Sequence, residues 1–299
     1  MSEAAQRTIL LTGANGQVGW ELQRTLAGLG RLVMPGRDTF DLTRPHMLAA
    51  ALRQLRPDLI VNAAAYTAVD RAESEPELAR AINAESVAVL AHEAARLKIT
   101  LVHFSTDYVF DGRQSSAYTE TDRPRPLSVY GQAKYDGELA IQASGAEHLI
   151  LRSSWVYSRR GNNFLLTMQR LARERETVGV VDDQVGTPTW ARALAEATAQ
   201  VLALWLSPGA SADDRRQLSG IYHMTCRGQT SWHGFAQAIF QDLEHRGQKV
   251  ARLNPIGSAD YPLPARRPAN SVLSCARLLE SFGVGLPHWQ QALELCLAA

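Results

Sequence analysis

Between residues 8 and 152, short apolar runs alternate with amphipathic stretches, and nothing else constrains the fold as strongly. Residues 9–12, 31–34, 58–65, 101–106 and 149–152 read as strands. The segments 20–29, 47–55, 74–95 and 128–142 read as helices, with polar Asn83 in the middle of the third. Runs such as Leu59-Ile60-Val61 are apolar at every position, as a strand covered on both faces requires. Strands of that kind separated by helices call for parallel pairing with right-handed crossovers. All strand C-termini then lie on one edge, and ligands of such sheets bind there. Residues 13–19, 63–65, 105–106 and 153–155 should therefore converge on one crevice.

The first of these stretches is Gly13-Ala14-Asn15-Gly16-Gln17-Val18-Gly19. It predicts a strand, a tight turn and a helix whose free N–H groups face a phosphate. The expected fold class is thus α/β: a doubly wound parallel-sheet, Rossmann-type domain, joined to a smaller mixed α/β substrate-binding domain. Small residues at 63–65 leave room for a ligand lying across the strand ends. The second strand ends at Gly36-Arg37, where an acid would take the adenosine ribose hydroxyls; Asp38 comes only just after. Arg37 suits a 2′-phosphate, which favours NADPH over NADH, although a solvated loop charge would read the same way.

Tyr130 and Lys134 stand at i and i+4, on one face of the helix predicted near residues 128–142. A cation near a phenol favours its ionised form and draws its pKa towards a useful range. Thr106 ends the preceding strand, where its hydroxyl can donate to a carbonyl oxygen while the tyrosine supplies a proton.

These residues sit in longer blocks: Ser105-Thr106-Asp107-Tyr108-Val109-Phe110-Asp111-Gly112 and Val129-Tyr130-Gly131-Gln132-Ala133-Lys134. Others are Val61-Asn62-Ala63-Ala64-Ala65-Tyr66-Thr67-Ala68-Val69-Asp70, Arg152-Ser153-Ser154-Trp155-Val156-Tyr157, Asp183-Gln184-Val185-Gly186-Thr187-Pro188-Thr189 and Arg267-Pro268-Ala269-Asn270-Ser271. In this order they resemble the extended short-chain dehydrogenase/reductases, and within them the reductases of dTDP-4-keto-6-deoxy-L-sugars. The resemblance runs over about residues 8–297. It implies reduction of dTDP-4-dehydro-β-L-rhamnose at C4 by NADPH or NADH, with Tyr130 as proton donor. Lys134 would hold the nicotinamide ribose, and Thr106 would orient the carbonyl. Gly13, Asn15, Gly16, Gln17, Val18 and Gly19 would wrap the pyrophosphate. Asp41 and Leu42 would lie near the adenosine, and Ala64, Ala65 and Tyr66 along the cofactor. Trp155 would pack on the sugar, beside Asp107, with Asn163 and Arg267 nearer the dTDP diphosphate. A reductase for another 4-keto epimer, or a non-catalytic NADP(H)-binding regulatory subunit, would use much of the same framework.

Beyond residue 155 the texture changes. Helices are expected at 164–174, 190–206, 231–244, 275–282 and 289–297, and strands at 178–181 and 221–224. Polar residues 207–220 read as a surface loop and proline-bearing 254–270 as a long one. Residues 1–151 are assigned to the cofactor domain, with elements near 178–206 returning to it. Residues 152–177 and 219–299 are assigned mainly to the substrate domain.

Composition narrows the partners. Of 299 residues, 20% are charged and the formal net charge is +1, which offers no basic tract for nucleic acid. No apolar run has membrane-spanning length, and residues 1–7 do not form a signal peptide. Three dispersed cysteines suit a cytoplasmic setting. His223, Cys226 and His233 lack metal-ligand spacing, so no metal site is assigned. Glu21 matches an acidic position at which some relatives bind a divalent ion between subunits, but Arg192 stands where a second acid is wanted. A divalent metal is therefore doubtful, and the expected state is a monomer or a weak homodimer.

Overall fold

The computed structural model describes residues 6–299; residues 1–5, most of the polar lead-in, lie outside it. The first half runs β1 (Thr8–Thr12), α1 (Gln17–Thr25), β2 (Arg31–Val33), α2 (Pro45–Leu55), β3 (Leu59–Asn62), α3 (Val69–Ala72), α4 (Pro76–Arg80), α5 (Ser86–Leu97), β4 (Thr100–Thr106), α6 (Val129–Ala143) and β5 (His148–Ser153). The second half runs β6 (Val156–Tyr157), α7 (Phe164–Glu174), β7 (Thr177–Val181), β8 (Val185–Gly186), β9 (Thr189–Trp190), α8 (Ala191–Trp205) and α9 (Ala212–Leu218). It ends with β10 (Gly220–His223), β11 (Thr230–Ser231), α10 (Trp232–His245), β12 (Arg252–Ile256), α11 (Ala276–Phe282) and α12 (Trp289–Ala298).

Six strands form one sheet in the order β10-β5-β4-β3-β1-β2, and every neighbouring pair is parallel. The chain leaves β1 on one side for β2 and returns on the other for β3. The order therefore reverses at β1, where an open α/β sheet leaves a crevice above its strand ends. Alternate side chains serve two cores. Ile9, Leu11, Val61, Val102, Leu149 and Leu151 pack with Leu22 of α1 and with α8 on one face. Leu10, Ile60, Leu101 and Ile150 pack with Leu48 and Leu52 of α2 and Leu90 of α5 on the other. A strand buried on both sides can carry no outward polar stripe, which is why these runs read as continuously apolar.

The second half departs from the sequence reading in three places. Residues 207–220 are not all loop: Ser211 caps α9 through a reciprocal bond with Asp214. The expected loop at 254–270 begins as strand β12, which pairs in parallel with β7. Strand β10, assigned with residues 219–299 to the substrate domain, is instead an edge of the main sheet, paired with β5. Helix α8 packs along α1. Among the described residues, no helix is long and apolar enough to cross a membrane.

Candidate active site

The glycine turn lies where β1 meets α1. Gly13 has φ of +70°, and a Cβ there would come within 2.6 Å of the Ala64 amide nitrogen. Only glycine lets the turn close against the end of β3. Helix α1 starts at Gln17 after an extended Gly16 with no side-chain cap, so its first N–H groups stay available to an anion. That uncapped start fits a cofactor pyrophosphate. The Gln17 side chain faces elsewhere. Its Oε1 accepts from Ser158 Oγ at 2.9 Å and from Asn163 Nδ2 at 2.8 Å, tying the turn to residues 156–163.

Arg37 is exposed beyond β2 and takes part in no ion pair among the described residues. Asp41 spends its carboxylate on the Thr43 amide and hydroxyl, at 2.9 and 2.8 Å, and these bonds hold it below the usual carboxylate range. Leu42 is buried in the second core. The small residues after β3 are half-buried, and Tyr66 is pinned there. Its N–H donates to Asn83 Oδ1 at 2.8 Å, its carbonyl accepts from Asn83 Nδ2 at 2.9 Å, and its hydroxyl donates to Glu75. Asn83 sits in a single π-helical turn, Ala81–Glu85, between α4 and α5. Such bulges turn a side chain out of the regular ladder.

Tyr130 and Lys134 both lie on α6, whose N-terminus is capped by Ser128 Oγ accepting from the Gly131 amide at 3.1 Å. A Cβ on Gly131 would sit 2.2 Å from the Tyr108 carbonyl oxygen. Glycine there lets α6 approach the short 3-10 turn Asp107–Val109 that follows Thr106. Tyr130 is thereby brought beside Thr106 and edge-on to Tyr108, with ring centroids 5.9 Å apart. Burial pushes the Tyr130 phenol up to about 12, and the Thr106 hydroxyl acts in the opposite direction. Thr106 Oγ1 donates to Asp107 Oδ1 at 3.0 Å and accepts from the Tyr108 amide at 3.2 Å. Asp107 is buried, its Oδ2 has no partner among the described residues, and burial raises its carboxyl to about 7.

Lys134 finds its partners on β4. Its Nζ lies 2.9 Å from His103 Nε2 and donates to the Phe104 carbonyl at 2.6 Å. Burial pushes its ammonium down to about 7. Below it on α6, Glu138 accepts from Arg152 at 2.9 and 2.6 Å and from Ser105 at 2.5 Å, with all three residues buried.

The predicted substrate residues lie in varied surroundings. Trp155 has φ of +46° and stacks flat on Trp232 of α10, with centroids 3.5 Å apart. Arg267 is not a free cation. Its two terminal nitrogens donate to Asp70 at 3.0 and 2.7 Å and one also donates to the Ala265 carbonyl, which holds the Asp70 carboxyl below its usual range. Asn163 caps α7 by accepting from the Leu166 amide at 3.1 Å. Its amide group donates to Gln17, Ser158 and Arg160, which ties it to the glycine turn.

Glu21 Oε2 accepts from Arg24 at 2.8 Å and from Arg192 at 3.2 Å, two cations where a bridging metal ion would need acids. Among the described residues, no three His, Cys, Asp or Glu side chains group as metal ligands. His223 is buried beside Arg152, with Nδ1 3.1 Å from the Tyr118 carbonyl.

Sequence reasoning passed over Asn62, His103, Glu138 and Asp70. The first two carried a usable signal, since each is a polar residue on an otherwise apolar strand and so needs a buried partner.

The RmlD substrate binding domain model matches residues 7–299. A dTDP-4-dehydrorhamnose reductase of Burkholderia thailandensis is 52% identical over 97% of each chain. The protein of that name from Escherichia coli K12 is 44% identical, over 97% of this chain and 96% of the other. The crystal structure of dTDP-4-dehydrorhamnose reductase from Bacillus anthracis in complex with NADP superposes with a TM-score of 0.87 at 33% identity, covering 98% of this chain and 99% of that one.

Proposed function

The chain belongs to the RmlD substrate binding domain family, and on that footing we propose that it is an oxidoreductase reducing dTDP-4-dehydro-β-L-rhamnose to dTDP-β-L-rhamnose. Relatives of that activity match nearly its whole length. The observation that carries the reading is the meeting of Tyr130, Thr106 and Asp107 at the end of β4, on the same edge of the parallel sheet as the uncapped helix start after β1. The nicotinamide of a bound NAD(P)H supplies the hydride that goes to C4.

The chain's own residues do the rest. Gly13, Asn15, Gly16, Val18 and Gly19 offer backbone to the pyrophosphate, with Gln17 bracing the turn. Exposed, and in no ion pair among the described residues, Arg37 supports NADPH over NADH by matching a 2′-phosphate. Ala64, Ala65 and the pinned Tyr66 backbone line the path towards the nicotinamide. A phenol pushed up to about 12 stays protonated at neutral pH, so Tyr130 holds the proton that passes to the C4 oxygen. Thr106 turns its hydroxyl towards that oxygen, and Asp107 takes a sugar hydroxyl. Trp155 closes over the sugar, and Arg267 meets the diphosphate with the N–H groups left free by Asp70 and Ala265. The Arg24 and Arg192 contacts on Glu21 favour a metal-independent monomer or weak homodimer.

The test is turnover of dTDP-4-keto-6-deoxy-L-lyxo-hexulose with each cofactor, with the product identified by NMR. Tyr130→Phe should lower kcat by a factor of about 100 or more while cofactor Kd changes only a few-fold. Full turnover in that variant would remove Tyr130 as the proton donor.

A further inference from the structure

Three buried polar residues stand side by side across the middle of the sheet. Thr12 is the register partner of Asn62, and Asn62 of His103. Strand alternation turns all three to the face that α6 covers, because their neighbours Leu11, Val61 and Val102 serve the opposite core. Their hydrogen bonds are continuous. Thr12 Oγ1 donates to Asn62 Oδ1 at 2.6 Å, Asn62 Nδ2 meets His103 Nδ1 at 2.9 Å, and His103 Nε2 meets Lys134 Nζ at 2.9 Å. Lys134 Nζ then donates to the Phe104 carbonyl.

The donor inventory gives this row a direction. With the Asn62 oxygen taking the Thr12 hydroxyl hydrogen, its amide nitrogen faces His103 and only donates, so in this orientation His103 Nδ1 is the acceptor and carries no hydrogen. The ring is fully buried, and burial pushes its pKa well below the usual value, so it is neutral and its one hydrogen is on Nε2. An Nε2–H must donate, and the atom in front of it is the lysine nitrogen. A protonated amine has no lone pair with which to accept.

We propose that His103, held in the Nε2–H tautomer by Asn62 and Thr12, is a positioning residue that keeps Lys134 a neutral amine in the cofactor-free protein. This rests on the reading that Lys134 serves Tyr130 and the nicotinamide ribose. Once a ribose hydroxyl offers Lys134 an acceptor, an ammonium is favoured there. His103 Nε2 must then accept, its hydrogen must be on Nδ1, and the Asn62 amide must present its oxygen. The lysine charge, the histidine tautomer and the Asn62 orientation change together, and cofactor binding takes up a proton at Lys134. From its own helix Lys134 has Glu138, already bound by Arg152 of β5, one turn after it and the phenol of Tyr130 one turn before it; from β4 it meets His103 and the Phe104 carbonyl.

Long-range 15N–1H NMR of histidine-labelled, cofactor-free protein reads the tautomer directly, with the signal assigned by its loss in His103→Gln. An Nε2–H tautomer with unprotonated Nδ1 is expected at pH 8, changing to Nδ1–H on saturation with NADP+. Asn62→Asp, read at a pH where its carboxylate is ionised, replaces the amide with a group that only accepts, so it should impose Nδ1–H without cofactor. It should also raise the proton affinity of Lys134 at least tenfold, moving the corresponding limb of the kcat/KM profile up by one pH unit or more. Finding Nδ1–H in the free wild-type protein, or Nε2–H retained in folded Asn62→Asp, overturns the proposal. Neither NMR readout needs turnover, so a failed reductase assay leaves this result standing and the two failures are distinct.

Discussion

Lys134 is a buried amine whose protonation carries a cost. Its folded-state pKa of about 7 lies below the ordinary 10.5. Between those values the unfolded chain holds the extra proton, so stability rises with pH across that window, and below pH 7 the full burial penalty is present. Lys134→Met should therefore raise Tm by roughly 3 °C or more at pH 6.5, with the advantage over wild type shrinking towards pH 10. Thermal melts across that range check it; a constant gap would mean that Lys134 does not titrate there. Arg37 carries a second residue-scale expectation. Losing a charge-assisted contact worth about 1.5–3 kcal/mol should raise the NADPH KM of Arg37→Ala about tenfold or more and leave that for NADH nearly unchanged. Steady-state kinetics with both cofactors decide it.

Among the elements, α7 and α6 are placed by single residues at their starts. Asn163 both caps α7 and holds Gln17 of α1, so one side chain joins the second half of the chain to the glycine turn. Asn163→Ala should cost about 1–2 kcal/mol of stability through the lost cap. It should also weaken cofactor binding, because Gln17 is released; melts and cofactor titration measure the two effects separately. Helix α6 depends on Gly131, whose missing Cβ lets Tyr130 approach Thr106. Gly131→Ala would push the helix away from the Tyr108 carbonyl and should lower kcat far more than it changes cofactor affinity.

For the molecule as a whole, the buried Glu138–Arg152 pair is the polar joint between α6 and the sheet, with both side chains at most 1% exposed. Neither charge has water to fall back on. Glu138→Ala should cost about 3–5 kcal/mol in a denaturant titration, because Arg152 is left uncompensated, whereas the double change Glu138→Leu/Arg152→Met should cost less. The partly exposed pair of Arg267 and Asp70 is a second joint, and its bidentate contact ties residues 265–267 of the second half to α3 of the first.

What the sequence alone determined follows from local chemistry. Period-two burial and apolar strands specify a covered parallel sheet, glycine spacing specifies the turn, and the i, i+4 spacing puts Tyr130 and Lys134 on one helical face. These signals survive in one dimension because each depends on neighbours a few positions away. Which strand β10 joins, what Arg267 and Asn163 touch, and what faces Lys134 could not be legible that way. Their partners lie far off in sequence: Asp70 for Arg267, Gln17 for Asn163, and His103 for Lys134. A buried polar group must find its partner wherever packing puts one, so only the tertiary structure decided that Lys134 meets a histidine of β4.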